Sequence, residues 1–487
     1  MSKVKQFFEK YATLKTGVKA ALWFTVCNLL QKGIAMITMP IFTRLLTTEQ
    51  YGVLTIYNSW YSVISIIVTL NLAGGVINNG MTKYPERRNE FISAMQGLST
   101  VVTIVFFAVY LCAHNFFNNL FDLSTLFVLT MFLQLLFEPA YLFWAQRQRY
   151  EYRYKSLVAV TLFTAAASPI CAVLAILHTE YKVEARIISF ALVNACVGLI
   201  FYIIQLYRGK KLFVKDFWKF ALAFNLPLVP HYLSQIVLGQ SDRIMIEKLT
   251  GLSDAALYGV AYNIAATVTI FVNAINNSFV PSLYQNMKKG SYGDIRKTAD
   301  MLCLFMAAVI SIFMLLGPEG IAILAAPEYS AAKWVFPPVA ASVFFVYIYA
   351  LFINIEFYFE KTQYVMLVSV AAALLNIGLN YIFIQKYGYI AAAYTTVFCY
   401  ILFSVGHYLL YKMITKRKGI TEAVFDGKRI LIYSLGVCGA TALSLLLYNH
   451  TLIRYGVIAV IGVLALINIK KLTELFKKVF TKEKESN

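Results

Sequence analysis

The stretch NLPLVPHYLSQIVLGQSDRIMIEKLTG, residues 225 to 251, carries the charged pair Asp242 and Arg243 at the far end of an apolar segment. Pro227 and Pro230 interrupt this segment near its start, and such prolines allow a helix to bend. A charged side chain in hydrocarbon costs at least about 2.5 kcal/mol, so charges within membrane segments usually face a bundle interior or a water-filled cavity. A helix here places four residues on one face: His231, Gln235, Gly239 and Asp242. Two interpretations stay open, a polar face toward a cavity and an Asp-Arg pair that neutralises itself at the membrane surface.

The composition of the whole chain supports a membrane location for this stretch. Hydrophobic residues make up 60% of the chain, charged residues only 14%, and the mean hydropathy is +0.66. These values exclude a soluble globular protein and predict an all-α polytopic membrane protein. The first apolar run, residues 20–46, is too long for the core of a signal peptide, so we expect the chain to insert through its own spans.

Apolar runs long enough to cross about 30 Å of hydrocarbon predict fourteen transmembrane helices. They lie near residues 20–46, 51–79, 91–112, 122–145, 156–177, 185–207, 217–249, 254–283, 298–317, 331–358, 363–384, 388–411, 429–448 and 454–469. We group them into a bundle of six at 20–207, a second bundle of six at 217–411 and a final pair at 429–469. Residues 1–19 have the pattern of an amphipathic helix on the membrane, and 470–487 form a basic tail.

The distribution of basic residues gives an independent check on the span count. Of the 43 Lys and Arg residues, 34 fall in the N-terminal segment, the tail and alternate connections between spans. Basic residues accumulate on the cytoplasmic side of membrane proteins, so both termini are predicted to be cytoplasmic. The net charge of +19 therefore reflects topology and attraction to anionic lipids, and it requires no nucleic-acid partner.

A partial internal repeat suggests that the two six-helix groups are related. The segment LTTEQYGVLTIYN at 46–58 is echoed by LTGLSDAALYGVAYN at 249–263, an offset of 207 residues between the two Tyr-Gly-Val triplets. The echo falls at matching places in the two groups, as expected for a duplicated transporter. Because six spans return the chain to its starting side, the halves would be parallel, with the substrate path between them.

Motifs for chemistry are missing from the sequence. It contains no GxxxxGK[ST], HExxH, CxxC or GxSxG pattern, which argues against direct use of ATP and against these classes of hydrolase. The seven cysteines lie scattered in apolar runs and are interpreted as packing residues, and the five histidines are too dispersed for a metal site. We therefore expect a protein that is not an enzyme and that needs no cofactor or metal.

Polar residues within the spans are the remaining candidates for function. Lys32 lies in the middle of the first span, on one face with Asn28 and Gln31, too far from either end to extend easily to water. Its position favours a water-filled lumen. Asparagines recur in the eighth span and, as Asn376 and Asn380, in the eleventh, where ordinary hydrogen bonding between helices is the simpler explanation. Three intramembrane acids are candidates for ion coupling: Glu138, Glu356 and Glu360.

Two motifs give the chain a family resemblance. The segment IFTRLLTTEQYG, residues 41 to 52, resembles the first outer turn of the bacterial polysaccharide transporters. Asp242-Arg243 followed by Gly251, Tyr258 and Ala261 resembles their seventh-span signature, although that signature has Gly where this chain has Ala256. The family belongs to the superfamily of multidrug and oligosaccharidyl-lipid exporters, and the similarity in span count covers the whole chain.

The resemblance implies a flippase of the bacterial cytoplasmic membrane. Such a protein would move undecaprenyl-pyrophosphate-linked oligosaccharides to the outer leaflet by alternating access, through a central cavity of cationic character. Membrane lipids, and a polysaccharide polymerase or glycosyltransferases, are the partners it suggests. Pyrophosphate is an anion that basic groups bind strongly at low dielectric, so Lys32 and Arg243 are the leading candidates to contact it. The full set of candidate cavity residues is Asn28, Gln31, Lys32, Arg44, His231, Gln235, Asp242 and Arg243.

Three alternatives remain beside the oligosaccharide flippase. A drug/cation antiporter of the same fold would need an acid in the first-half cavity, and the span at 20–46 contains none. A flippase for a peptidoglycan lipid precursor is a related possibility. A membrane polymerase or glycosyltransferase would need a large outer loop or an acidic metal motif, whereas every predicted outer loop is short.

Overall fold

The computed structural model describes residues 16–467, and all regular secondary structure in that range is helical. The first helices are α1 (Thr16–Leu45), α2 (Thr48–Val68), α3 (Val76–Lys83), α4 (Arg88–Cys112), α5 (His114–Phe121), α6 (Thr125–Tyr150), α7 (Tyr154–Leu177), α8 (Lys182–Gly209) and α9 (Lys215–Asn225). The predicted amphipathic helix falls mostly, and the basic tail at 470–487 entirely, outside the described residues.

The second half of the chain continues in the same pattern. Its helices are α10 (Val229–Thr250), α11 (Leu252–Ala265), α12 (Thr269–Lys289), α13 (Tyr292–Leu315), α14 (Gly317–Leu324), α15 (Phe336–Tyr358), α16 (Thr362–Tyr387), α17 (Ile390–Arg417), α18 (Gly427–Leu447) and α19 (Thr451–Ile467). By their internal contacts the described residues form two compact units that meet in sequence within α10, after Gln240. The division into a bundle at 20–207, a bundle at 217–411 and a pair at 429–469 stays a prediction.

Thirteen segments among the described residues are long and apolar enough to cross a membrane. They match the first thirteen predicted spans in order, but the second prediction, 51–79, is too long: the helix ends at Val68, and the separate helix α3 follows after a break. The fourteenth falls in α19, where the apolar stretch Thr451–Ile461 is shorter than a full span. The prediction of an all-α polytopic membrane protein is confirmed. The short helices α5 and α14 were not predicted, because they lie in connections that the sequence pattern assigned to loops.

The helix boundaries have local causes in the sequence. The side chain of Thr47 accepts a hydrogen bond from the Gln50 backbone N at 3.2 Å, while Gln50 Oε1 accepts one from the Thr47 N at 3.0 Å, which starts α2 with a capping box. The predicted break in the seventh span is also present. A 3₁₀ turn at Leu226–Leu228, which includes Pro227, separates α9 from α10.

Each unit has its own packing centre. In the first unit α8 lies against α6 and α7, and α1 packs along α7. In the second unit α15 is the most enclosed of the membrane segments, and it contacts α13, α17 and α18. A helix surrounded in this way places polar residues next to several neighbours at once, and α15 and α17 carry two of the ionisable residues described below.

Candidate functional site

Asp242 on α10 is the centre of a buried polar cluster in the second unit. Its side chain is 0% exposed, yet both carboxylate oxygens accept hydrogen bonds. Asn380 Nδ2 donates to Oδ1 at 2.6 Å and Thr396 Oγ1 donates to Oδ2 at 2.6 Å. The hydroxyl of Tyr258 also donates to Oδ2. Donors from α11, α16 and α17 thus fix one carboxylate, which a buried charge requires.

A second layer of hydrogen bonds orients these donors. Asn376 Oδ1 accepts from Ser241 Oγ at 2.9 Å and from Asn380 Nδ2 at 3.2 Å, and its Nδ2 donates to Thr396 Oγ1 at 3.2 Å. Thr395 donates its hydroxyl hydrogen to Asn380 Oδ1. The side chains that donate to Asp242 are therefore themselves held by further hydrogen bonds. Such connected networks rigidify the groups they contain.

Arg243 lies beside this cluster and is held by an aromatic ring. It is 6% exposed, and its guanidinium carbon is 4.2 Å from the centroid of the Tyr262 ring. Tyr262 stacks on Tyr258 one helical turn earlier, with ring centroids 6.4 Å apart. One face of α11 therefore contacts both members of the Asp-Arg pair. Both side chains are enclosed by protein, so they do not form an exposed pair at the membrane surface.

A hydrogen bond between α10 and α11 explains part of the seventh-span signature. Tyr258 supplies the hydroxyl that Asp242 accepts, and the small residue Ala261 is fully buried where α11 packs against α15. Ala256, which stands where the family has Gly, is fully buried as well. A methyl group is therefore accommodated at this position, and the departure from the family pattern leaves the fold intact.

The candidate residues of the first span are arranged differently from Asp242. Lys32 and Asn28 are exposed on α1, and Gln31 is half-buried. Arg44, near the end of the same helix, is exposed and donates from Nη1 to the Pro40 carbonyl oxygen at 3.0 Å. These four residues belong to the first unit, whereas Arg243 belongs to the second. That Lys32 and Arg243 line one cavity stays a prediction.

His231 and Gln235 lie on α10 within the first unit, and both are half-buried. They precede Asp242 on the same helix, as the spacing predicted. At the end of this part of α10, Gln240 Oε1 accepts a hydrogen bond from Ser59 Oγ on α2 at 3.2 Å. His231, Gln235 and Asp242 thus lie along the same helix.

Glu138 is the candidate acid of the first unit. One of its carboxylate oxygens, Oε2, accepts a hydrogen bond from Gln134 Nε2 on the preceding turn of α6 at 2.7 Å. The same oxygen accepts from the hydroxyl of Tyr61 on α2. The carboxylate therefore links two helices through neutral donors.

Glu356 on α15 pairs with a histidine that the sequence had not singled out. Glu356 Oε1 lies 2.8 Å from His407 Nδ1 on α17, and both side chains are 0% exposed. Within the described residues, Glu356 Oε2 and His407 Nε2 have no hydrogen-bond partner. Glu360, one turn further on, is exposed in the turn that follows α15. Of the two acids at this end of the tenth span, only Glu356 is enclosed.

Some of these partners carried a signal in the sequence. Glu356 and His407 each precede a predicted cytoplasmic connection by a few residues, which placed both at a similar depth in two apolar spans. Thr395 and Thr396 had no such signal, because threonines within spans commonly bond to their own helix.

In the described part of the chain, no three His, Cys, Asp or Glu side chains come together as a metal site. The oxygen donors around Asp242 are of the type that hard cations bind, but protein hydrogens occupy the carboxylate.

The helical architecture, with thirteen candidate spans among the described residues and charged side chains buried within them, defines a polytopic membrane protein. Residues 18–287 match the family described as polysaccharide biosynthesis protein, more than half of the chain, and the protein belongs to this family. Among its relatives is the Lsg locus putative protein 1 of Haemophilus influenzae. The two are 23% identical over 373 residues, which cover 74% of this chain and 89% of the relative.

Solved structures share the fold at low sequence identity. The Lipid II flippase MurJ, in an inward closed conformation, superposes with a TM-score of 0.65 and 14% identity, covering 93% of this chain and 100% of that one. An inward-facing multidrug resistance MATE family transporter of the MOP superfamily gives a TM-score of 0.59 at 12% identity, with 82% of this chain and 96% of that one covered. The predicted MATE-like fold and the family resemblance are confirmed. The family and fold together indicate a membrane transporter of polysaccharide biosynthesis.

Proposed function

We propose that this protein moves an anionic lipid-linked oligosaccharide, carried on undecaprenyl pyrophosphate, from the cytoplasmic to the outer leaflet of the bacterial cytoplasmic membrane. Both termini would be cytoplasmic, and translocation would proceed by alternating access. Membership of the polysaccharide biosynthesis family supports the glycan, and the resemblance of the two motifs supports the lipid carrier.

The observation that carries the proposal is the position of Lys32. Its side chain is exposed halfway along α1, a helix of 30 residues. A charge at that depth facing lipid would cost about 2.5 kcal/mol or more, so a water-filled path is the favoured surrounding. The sequence of α1 contains no Asp or Glu to neutralise it. A basic side chain with no acid on its own helix is better suited to bind a pyrophosphate than to bind an organic cation.

The energy source would lie outside the protein or in an ion gradient. No nucleotide motif occurs in the sequence, so directionality would come from consumption of the product on the outer side or from coupled ion movement. Glu356, which is buried, and Glu138, which is half-buried, are the acids for such coupling, whereas Glu360 is exposed.

A deletion strain tests the proposal. Lipid-linked repeat units should accumulate on the cytoplasmic leaflet, and the wild-type gene should restore their passage. Lys32→Ala should fail to restore it, while Lys32→Arg, which keeps the charge, should restore part. Unchanged lipid-linked intermediates together with increased sensitivity to organic cations would instead support the drug antiporter. Arrest of peptidoglycan synthesis would support the lipid-precursor flippase.

A further inference from the structure

The segment between α8 and α9, together with α9 itself, exposes an unusual concentration of basic and aromatic side chains. Residues 208–219, RGKKLFVKDFWK, contain five basic residues and one acid, Asp216. All five basic side chains are exposed, and Phe213 is 64% exposed. The exposed Phe213 ring and the exposed lysines are therefore available to a further group.

This segment is fixed against α4 by close backbone packing. The backbone of Leu212 approaches Gly97 so closely that an added Cβ on Gly97 would overlap with the Leu212 carbonyl oxygen. Trp218 Nε1 donates to the Ala94 carbonyl oxygen at 2.9 Å. Lys211 Nζ lies 3.4 Å from a carboxylate oxygen of Glu90. The exposed side chains therefore project from a backbone that is already ordered, which lowers the entropic cost of binding.

The opposite face of α9 is buried in the first unit. Phe217 and Ala221 are fully enclosed and pack against Phe91 on α4. The cations of Arg87 and Lys83 lie over the rings of Phe217 and Phe220, at 4.7 Å and 4.5 Å from the centroids. With its inner face occupied, α9 can bind a further group only along its outer face.

That outer face forms a groove of about 630 Å³. Lys215 and Lys219, one helical turn apart, line it with four large apolar residues: Phe213, Trp218, Leu222 and Leu226. Leu226 is 50% exposed. None of the described residues that line the groove is Asn, Gln, Ser or Thr. The groove therefore offers charge and apolar surface but no side-chain amide or hydroxyl for a sugar.

We propose that this groove binds an anionic glycerophospholipid, with the phosphate at Lys215 and Lys219 and an acyl chain along Trp218, Leu222 and Leu226. Two lysines on one side of an apolar groove match the phosphate and the chain of such a lipid. A lipid-linked glycan would leave its sugars without partners in this groove. The bound lipid would come from the surrounding membrane, independently of the transported substrate.

Brominated lipids in nanodiscs test the site through Trp218, one of five tryptophans in the chain. The wild-type emission minus that of Trp218→Phe isolates this residue. Brominated phosphatidylglycerol at a tenth of the lipid should quench that emission at least roughly twofold more than brominated phosphatidylcholine does. Lys215→Gln with Lys219→Gln should abolish the preference. Lys288→Gln with Lys289→Gln, which removes two exposed lysines at the end of α12, should preserve it.

A second measurement guards against an effect of Trp218→Phe on the fold. Native mass spectrometry of the purified full chain should show phosphatidylglycerol retained by the wild type and by the Lys288/Lys289 control, and lost from the Lys215/Lys219 variant. Equal quenching by both lipids, or equal loss in both double variants, would overturn the proposal. Competition by inorganic phosphate that removes the preference would assign the lysines to a soluble anion instead of a lipid.

Discussion

Glu356 Oε1 and His407 Nδ1 are 2.8 Å apart, in a pair that joins α15 to α17 with neither side chain exposed. Removing one partner of such a buried hydrogen-bonded pair costs roughly 1–3 kcal/mol, because the other group stays buried without a partner. Replacing both by apolar residues is often close to neutral. The pair therefore allows a structural role to be separated from a role in ion coupling.

We expect Glu356→Leu and His407→Leu each to lower the melting temperature of the detergent-purified protein, and the double variant to recover most of the loss. Glu360→Gln is the matched control, since an exposed substitution should change stability by only about 0.5 kcal/mol. Transport by the stable double variant then decides between the roles. Full activity would exclude Glu356 as a coupling acid, and loss of activity at normal stability would support it.

The helices were largely predictable from the sequence, because long apolar runs and alternating basic connections are strong signals. The cluster around Asp242 was predictable only in part. Asp242 was evident as a charge within a span, and Asn376 and Asn380 as a polar stripe, but spacing along one helix gives no partner on another. Thr396 supplies a hydrogen bond across 154 residues of sequence, which no local pattern contains.

The short helices and the Glu356-His407 pair escaped prediction for related reasons. An eight-residue helix such as His114–Phe121 has too few residues for a periodic pattern to distinguish it from a loop. His407 was interpreted as one of several scattered histidines, because its partner, Glu356, lies on another helix. The boundary of the first bundle and the location of Lys32 in a cavity remain predictions.

Gly97 offers a test of how the 208–219 segment is held. Gly97→Ala should destabilise the protein, since the new methyl group would collide with backbone atoms of Leu212, which cannot rotate away. Gly33→Ala on α1 is the control, because no heavy atom lies within 4 Å of its added Cβ. Alanine in an open helical position should stabilise by up to about 1 kcal/mol. Thermal unfolding measures both, and similar shifts in the two variants would contradict the close contact.

Arg454 anchors the last helix to the second unit. It is 2% exposed and donates from Nη1 to Glu319 Oε2 at 3.0 Å and to the Leu315 carbonyl oxygen at 3.1 Å. Nearby Tyr448 donates to the Met314 carbonyl oxygen at 2.6 Å. Arg454→Met should loosen α19 and increase protease cleavage near residue 450. Arg429→Met, an exposed arginine of α18, is the control.

The predicted topology can be tested at exposed positions within the described chain. In a variant without the seven native cysteines, a cysteine at Lys210 or Lys289 should react with a membrane-impermeant maleimide only after the cells are opened. A cysteine at His178 or Lys386 should react in intact cells. Labelling of all four positions from one side would refute the alternation of connections on which the span count depends.

We expect the stability of the protein to depend more on the acceptor oxygens of Asp242 than on its negative charge. Asp242→Ala leaves the hydroxyls of Thr396 and Tyr258, and one hydrogen of the Asn380 amide, buried without an acceptor, at a cost of about 1–3 kcal/mol for each group. Asp242→Asn keeps one acceptor oxygen, so it should unfold at a temperature between those of the wild type and the alanine variant. Tyr258→Phe removes one donor only and should cost roughly 1.5–3 kcal/mol, as for a hydrogen bond to a charged group. If Asp242→Asn and Asp242→Ala unfold at the same temperature, the hydrogen bonds do not hold the cluster together. If Asp242→Asn is stable but fails to restore passage of lipid-linked repeat units in the deletion strain, the carboxylate charge itself is required for transport.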